Sequence, residues 1–599
     1  MTTATGAGLR GTIRRGRPGA RFGTAWLMAP GILFLAVIYM LPVADLIRIS
    51  FSGETLFAHY ARVFSTPLYR DSLVRTIGIA ASVALLCTVF GYPTALAIHR
   101  ATGVLRAAIA GAIVLPYFIA TLIRTYAWMV LLGRNGPINK ALLALGLTIE
   151  PVQLLFGRGA VLLGMTAVLL PLMVLTIYAS LAKLDPQLDR AARASGAGPL
   201  AVFWRVTLPL TLPGMAAGIL LVFVSSLGFF ITPTLLGGPG DQMFAMHITQ
   251  QADFLGSRGF LQALAVFLLA ITLIIVAIAA RFLGLEFIWG GSNVGASANA
   301  RPKRHREVVE GWRASTLSQY LADRYGWPML RMLGSAPSRS GKLFVGSVAG
   351  FVIAALIVPI IIVAILSFSR ASFLTFPPPA YSLRWYGQFF SDPNWMSAFA
   401  TSVGIAVLAC MISLTLGTGA AVAIVRAEFR AKAAMMTLLV SPLIVPPVVI
   451  GMSLYGFFLR ADLVGTPIGI AAAHAVGGIP LVVVIVASTL QSVDRRLEQA
   501  AAVHGAAPWR VFLNVTIPAI APGLGAAAFF AFLHSFDELV LSMFLSGSTL
   551  TTLPLKLWGD VNYQLSPVLA VVSTLEVLLV IAGLALARPV FSKKHRSAA

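Results

Sequence analysis

Three acidic side chains lie in apolar runs, where a charge is costly. Asp537 and Glu538 are adjacent in the segment FLHSFDELVLSMFLSG, and Glu576 stands in the last apolar run. A charge at the centre of a bilayer costs roughly 2.5–3.5 kcal/mol on insertion scales, so such residues face a cavity or a partner. Adjacent helical residues point about 100° apart, so only one of Asp537 and Glu538 can face an axis squarely. Two interpretations stay open: hydrogen bonds that hold helices together, or an anionic patch in a path for cations.

The composition is that of a membrane protein. Apolar residues make up 58% of the 599 residues, charged residues 11%, and the mean hydropathy is +0.87. Soluble domains have about 45–50% apolar and about 25% charged residues. So few charges cannot cover the surfaces of several soluble domains, and the two cysteines, Cys87 and Cys410, are too few for a disulfide scaffold.

Twelve apolar runs are long enough to cross a bilayer as helices, which needs about 20 residues. The sequence therefore predicts an all-α polytopic membrane protein with two six-helix domains. The runs of the first half are 25–47, 76–98, 107–132, 161–181, 214–236 and 261–283. The runs of the second half are 344–366, 402–425, 433–459, 468–490, 523–545 and 566–586. Kinks are expected at Pro42, Pro116, Pro359, Pro446 and Pro447.

The formal net charge of +23 indicates topology rather than nucleic-acid binding. Most of the 44 Lys and Arg fall in segments on one side of the predicted membrane, whereas the acids are spread evenly. The positive-inside rule places that side in the cytoplasm. Residues 1–24 and 589–599 are therefore predicted to be basic cytoplasmic tails, with lipid as a partner and no nucleic acid.

An internal repeat divides the chain into two halves. The segment LDRAARASGAGPLAVFWRVTLPLTLPG within 185–214 aligns without a gap with LEQAAAVHGAAPWRVFLNVTIPAIAPG within 494–523. Both copies lie on the cytoplasmic side between the fourth and fifth spans, so the repeat is parallel. The predicted transmembrane domains are 25–283 and 343–588.

The stretch 284–342 is predicted to be the cytoplasmic linker between the halves. Its centre, 306–332, has apolar residues at helical spacing in a basic context. It fits either a basic helix on the inner leaflet or an ordinary solvated linker helix.

Each repeated loop is predicted to form a short helix, a Gly-Ala break and a second short helix with an apolar and aromatic face. Such a loop can be a plain surface turn. However, recurrence over 27 residues with similar side chains favours a docking element. Two such elements related by pseudo-symmetry suit a two-fold partner in the cytoplasm.

These loops resemble the "EAA" loop of permease subunits of bacterial ABC importers, whose pattern is E-A-A-x-x-x-G followed by Phe and a Leu-Pro or Ile-Pro pair. The resemblance implies an ABC importer type I permease whose second short helix couples to an ATPase. It also implies two cytoplasmic ABC ATPase subunits, which carry the ATP and Mg²⁺, and no cofactor on this chain. The glutamate position of the pattern holds Arg190 and Gln499, with Asp189 and Glu498 one residue earlier. The matching positions are Ala191, Ala192, Gly196, Phe203, Pro209, Ala500, Ala501, Gly505, Phe512 and Pro518.

The sequence predicts a transporter subunit rather than an enzyme. It contains no G-x-x-x-x-G-K-[ST] phosphate loop, since its one Gly-Lys pair, Gly341–Lys342, is followed by Leu. It also shows no carboxylate pair with a positioned His and no nucleophile elbow. A 12-span secondary transporter driven by an ion gradient is the alternative from another class, but it needs no duplicated docking loop.

Two further segments indicate the cargo. The stretch 535–558 resembles spermidine/putrescine-type permeases, and 225–244 resembles the partner subunit of the same type, so two subunits look fused here. The resemblance implies polyamine import across a bacterial cytoplasmic membrane, with a periplasmic or extracellular solute-binding protein and both termini in the cytoplasm. Importers for ferric iron, aminophosphonates and opine-like compounds are similar and remain alternatives. Asp537, Glu538 and Glu576 are the predicted substrate-path residues.

Overall fold

The computed structural model describes residues 25–52, 55, 57–252, 258–283, 338–372, 375–427, 429, 431–563 and 566–592. The basic N-terminal tail, most of the C-terminal tail and the predicted linker helix 306–332 lie outside the described residues. In these ranges the regular structure is helical, apart from an isolated bridge that pairs Ser369 with Tyr381.

The two halves have the same order of helices except for Pro137–Ala144 of the first half, which has no counterpart in the described residues of the second half. Those of the first half are α1 (Ala25–Ser50), α2 (Ala58–Ser65), α3 (Pro67–Arg100), α4 (Gly103–Tyr117), α5 (Thr121–Leu132), α6 (Pro137–Ala144), α7 (Arg158–Leu181), α8 (Pro186–Ala194), α9 (Pro199–Leu227), α10 (Ile231–Leu236), α11 (Phe244–Ala252) and α12 (Arg258–Leu283). Those of the second half are α13 (Ser338–Leu366), α14 (Arg384–Ser391), α15 (Pro393–Arg426), α16 (Lys432–Val440), α17 (Pro447–Arg460), α18 (Pro467–Gln491), α19 (Arg495–Val503), α20 (Pro508–Phe536), α21 (Val540–Leu545), α22 (Leu553–Tyr563) and α23 (Val568–Ser592).

Among the described residues, nine helices are long and apolar enough to cross a membrane, and two bent pairs raise the number to eleven. The last predicted span corresponds to α23. Within its described residues, the apolar helix runs from Val568 to Gly583. The predicted all-α polytopic architecture is thus confirmed.

The third and ninth runs are broken more sharply than the expected kinks. The third run is bent by 99° between α4 and α5. The ninth run is bent by 95° between Lys432–Leu443, which contains α16, and α17. The predicted kinks at Pro116, Pro446 and Pro447 lie at these breaks. Proline lacks the N–H that a helix needs, and its ring clashes with the preceding turn.

The fifth and eleventh runs were each expected to form one continuous helix, and this expectation is wrong. Each helix begins earlier than predicted, at Pro199 or Pro508, and ends before the run does. The chain breaks at 228–230 and at 537–539 and then forms the short helices α10 and α21. Asp537 and Glu538 therefore lie in a helix break rather than inside a continuous helix.

The halves exchange their first helices. α1 packs on α15 of the second half, and α13 packs on α3 of the first half. At the end of α1, Asp45 forms an ion pair with Arg460 at the end of α17. The most deeply buried spans are α7 and α18. In these two helices, 72% and 78% of the most apolar stretch is buried inside the protein. The two helix breaks of each half adjoin these central helices.

Candidate functional site

A helix break of the first half meets the last helix of the second half. The Ala120 backbone N–H donates to Glu576 Oε1 at 2.8 Å, and both residues are buried. Ala120 directly precedes α5, whose first N–H groups have no partner within the helix. A carboxylate near this positive end of the helix dipole is stabilising. Glu576 therefore caps α5 from the other half of the molecule.

Asp537 ends α20 beside Glu576. The two carboxyl groups lie side by side. Asp537 Oδ1 is itself buried and has no hydrogen-bond partner among the described residues, although the residue as a whole is partly exposed. Asp537 thus carries an unpartnered, buried oxygen at the interface of the halves.

Arg124 supplies the positive charge near these acids. Its guanidinium interacts electrostatically with both Asp537 and Glu576. The side chain is held by its own half, since Nη1 donates to the Val168 carbonyl at 3.0 Å and Nη2 to Thr121 Oγ1 at 3.3 Å. Its Nε has no acceptor in the part of the chain that the structure describes.

Glu538 has a different role from its neighbour. Its Oε1 accepts the Leu541 N–H at 3.1 Å, at the beginning of α21. This is a helix-capping contact within the second half. The two adjacent acids therefore have different roles. Glu538 caps a helix, whereas Asp537 has a carboxyl oxygen without a partner.

Aromatic rings line the same interface. Phe118, in the break before α5, stacks on Phe530 of α20 with centroids 4.8 Å apart. Phe230, in the break before α10, meets Trp558 of α22 edge to face at 5.6 Å. Each pair joins one half to the other, and ring faces attract cations.

The pseudo-symmetric partner of the acidic site is closed. Gly228 occupies the position of Asp537, and a Cβ on it would lie 2.7 Å from Pro446 Cβ. Pro446 precedes α17 as Ala120 precedes α5. A side chain fits where the facing residue is Ala120 but not where it is Pro446. Only one of the two pseudo-symmetric sites can therefore be acidic.

The two repeated loops have matching local structures. Asp185 and Asp494 begin α8 and α19 by accepting the N–H of the second residue along, at 2.9 Å in both cases. Gly196 and Gly505 end these helices with φ of +83° and +85°. Glycine adopts this left-handed conformation without steric cost. The repeated glycine is thus required by a helix stop.

The second predicted short helix of each loop is not separate. It forms the first turns of α9 or α20 and passes into a π segment, at Phe203–Thr207 or Phe512–Thr516. In the π segments the Leu208 N–H donates to the Phe203 carbonyl, and the Ile517 N–H to the Phe512 carbonyl. The next residue in each half is a proline, which cannot continue the α-helical bonding.

The carboxylates that precede the repeated Ala pairs have different partners. Glu498 makes a two-point ion pair with Arg426, with Nε–Oε2 and Nη2–Oε1 both 3.0 Å, and also accepts from Thr516 Oγ1 at 3.0 Å. Asp189 instead pairs with Arg193 at 2.8 Å within α8. The hydrogen bond from Arg193 lowers the pKa of the Asp189 carboxyl. The second loop is therefore tied to α15, whereas the first is braced within itself.

Comparison with known families places these features. The sequence model of the family described as "Binding-protein-dependent transport system inner membrane component" matches residues 89–283 and 413–588. The chain belongs to this family. It carries the permease domain twice, and a secondary transporter is thereby set aside in favour of an ABC importer type I permease.

Several relatives of this permease are named as permeases of polyamine transport systems. The spermidine/putrescine transport system permease protein PotB of Salmonella typhimurium is 35% identical over 193 residues, which is 32% of this chain and 67% of that protein. PotB of Haemophilus influenzae is 32% identical over 241 residues, 39% of this chain and 80% of that protein. The putrescine transport system permease protein PotI of Escherichia coli K12 is 34% identical over 224 residues, 36% of this chain and 79% of that protein.

Among solved structures, the permease is similar to a chain of a bacterial alginate ABC transporter in complex with a periplasmic protein bound to an alginate pentasaccharide. The identity is 20% and the TM-score 0.40, over 45% of this chain and 97% of that chain.

The structure brings together two of the three predicted substrate-path residues, Asp537 and Glu576, whereas Glu538 caps a helix of the permease. Sequence reasoning missed Ala120 and Arg124. An arginine in the apolar run 107–132 was a signal that could have found Arg124.

The ten predicted coupling residues all lie in the two loops or in the first turns of α9 and α20. Of these, Gly196 and Gly505 are exposed, while Phe203 and Phe512 are half-buried against the membrane helices. Their contact with an ATPase stays a prediction.

Proposed function

We propose that this permease moves polyamines, spermidine- or putrescine-like cations, inward across a bacterial cytoplasmic membrane. The observation that carries the proposal is the Asp537 carboxyl beside Glu576 at the interface of the two halves, with a buried Oδ1 that has no protein donor among the described residues. A cation would reach this oxygen when the halves separate during transport. The names of the relatives support the same class of cargo.

The interface between the halves suits an alkyl polyamine. The ring pairs Phe118–Phe530 and Phe230–Trp558 offer apolar and π surfaces at the interface of the halves. Methylene groups pack on such rings, and ammonium groups are attracted by ring faces and carboxylates. Anionic aminophosphonates would meet an unfavourable charge here, whereas ferric iron remains a cationic alternative.

The two loops are proposed as the docking sites for two ABC ATPase subunits. Each presents a capped helix, a glycine stop and the start of a spanning helix toward one side of the molecule. Trp509 of the second loop is 60% exposed. A loaded binding protein would engage the opposite face, and ATP binding would move the loops and hence the halves.

The experiment is polyamine uptake by cells that lack their own polyamine importers and express the permease with its ATPase and binding protein. Asp537→Asn should reduce spermidine uptake at least about tenfold, because one unit charge at close range exceeds 1.4 kcal/mol in a partly buried site. Asp71→Asn, an exposed acid paired with Arg70, is the matched control and should transport normally.

Unchanged spermidine uptake in Asp537→Asn, at equal amounts in the membrane, would contradict a role of this carboxyl in the path. Competition by unlabelled ferric iron, but not by putrescine, would identify the alternative cation. Purification in mild detergent should recover two ATPase subunits per chain, and reproducible recovery without any ATPase under crosslinking would refute the docking proposal.

A further inference from the structure

Arg124 is a buried cation that the proposed transport path does not use. It is 9% exposed and lies in an apolar run, where an unpaired charge is expensive. It has no counterpart in the second half, because Ile450 occupies the equivalent position after the break. A residue of this kind needs a partner of opposite charge or a function.

The contacts of Arg124 divide between the two halves. Its direct hydrogen bonds go to Thr121 of α5 and Val168 of α7, both in the first half. From the second half, Glu576 reaches the start of α5, where it accepts from the Ala120 N–H at 2.8 Å, and Asp537 lies beside Glu576. Both carboxyls act electrostatically on Arg124. The guanidinium is therefore hydrogen-bonded to one half and balances the charge of carboxyls in the other.

The cluster is incompletely bonded at the interface of the two halves. Arg124 Nε has no acceptor and Asp537 Oδ1 has no donor among the described residues. Two unsatisfied polar atoms of opposite character in one cluster are costly when they stay dry. Such a cluster is held together by charge and can open without breaking a direct ion pair.

We propose that Arg124 is a tethered cation that occupies the field of Asp537 in the unloaded permease and is displaced by the ammonium group of the cargo. The inference rests on the proposed function and names the residue that regulates its site. Separation of the halves during transport withdraws the guanidinium from the two carboxyls. A cationic cargo then restores the balance of charge, whereas without cargo the carboxyls hold the halves together through Arg124.

The first test does not depend on the identity of the cargo. Thermal unfolding of the purified chain in lipid nanodiscs is measured for Arg124→Gln, Asp537→Asn and the double variant. Removing one partner of a buried charge cluster leaves the other uncompensated. Arg124→Gln should therefore lower the Tm, and adding Asp537→Asn should recover part of the loss. Additive losses in the double variant would overturn the proposal.

The second test measures displacement, with spermidine as the probe and no binding protein present. Arg124→Gln should bind spermidine at least about tenfold more tightly than the unaltered chain, because the competing charge is gone. Asp537→Asn in the same chain should abolish this gain. Arg124→Lys keeps the charge and should behave as the unaltered chain does.

Arg460→Gln is the matched control, since Arg460 also pairs between the halves, with Asp45, but outside the cluster. It should leave spermidine binding unchanged. Equal binding by Arg124→Gln and the unaltered chain would overturn the displacement, provided that Asp537→Asn abolishes spermidine uptake. If Asp537→Asn transports spermidine normally, the proposed cargo path fails instead, and the unfolding measurements still decide whether the charge cluster exists.

Discussion

The Ala120 backbone N–H donates to the Glu576 carboxylate at 2.8 Å, and this bond joins residues that are 456 positions apart. It caps a half-helix of the first domain with a side chain of the last helix of the second. The proposed cargo site and a structural contact between the halves therefore share one carboxylate. Substitutions here must be designed to separate the two roles.

Glu576→Ala should destabilise the permease, because the buried Ala120 N–H loses its acceptor at a cost of about 1–3 kcal/mol. Glu576→Gln keeps a carbonyl oxygen for this hydrogen bond and should lose less, because it removes only the charge opposite Arg124. Thermal unfolding in detergent compares the two. Equal losses in both variants would show that charge, rather than the hydrogen bond, stabilises this contact.

Glu538 should behave as a cap and not as a cargo residue. Glu538→Ala removes the acceptor of the Leu541 N–H and should cost about 1 kcal/mol of stability. Glu538→Gln should retain spermidine uptake, in contrast to Asp537→Asn. Uptake per amount of protein in the membrane distinguishes them, and a similar loss of uptake in Glu538→Gln and Asp537→Asn would return Glu538 to the path.

Gly228→Ala should impair folding of the first half, because its Cβ would lie 2.7 Å from Pro446 Cβ. Overpacking of this kind costs about 1–3 kcal/mol. Gly525→Ala in α20 is the control, since a Cβ there meets nothing within 4 Å. The Tm of each variant tests the difference. A Gly228→Ala chain as stable as the control would mean that the two breaks do not meet closely.

Glu498→Ala should reduce uptake more than Asp189→Ala does. Glu498 ties its loop to α15 through Arg426 and to α20 through Thr516, whereas Asp189 braces only its own helix. The expected loss is severalfold for Glu498→Ala and small for Asp189→Ala, measured as uptake with ATPase recovery as a second readout. Arg426→Ala should reproduce the Glu498→Ala result, and the two should not add.

Gly505→Ala should lower transport while the chain stays in the membrane. The residue has a φ of +85°, and an L side chain in this region costs about 1–2 kcal/mol. The strain would shift the start of α20 relative to α19, and so the proposed docking element. Gly404→Ala, in the middle of α15 with open space around it, is the control. Normal uptake by a well-expressed Gly505→Ala chain would weaken the coupling assignment.

The sequence predicted the broken third and ninth runs only as kinks. Pro116 and the Pro446–Pro447 pair mark the positions, because proline's effect on a helix is local. The size of the bend, 99° and 95°, depends on which half-helix ends find caps in neighbouring helices. That information lies in distant residues such as Glu576.

The sequence by itself determined the membrane class, the two halves and the repeated loops, because hydrophobicity and repetition are properties of the linear chain. It also located the three acids, since a charge in an apolar run stands out. Only the tertiary structure decided their roles: Glu538 and Glu576 cap half-helices, and Asp537 keeps a free oxygen. Ala120 and Arg124 acquire their meaning from the packing of one half on the other, because the field and hydrogen bonds of a buried carboxyl come from whatever side chains the fold places beside it.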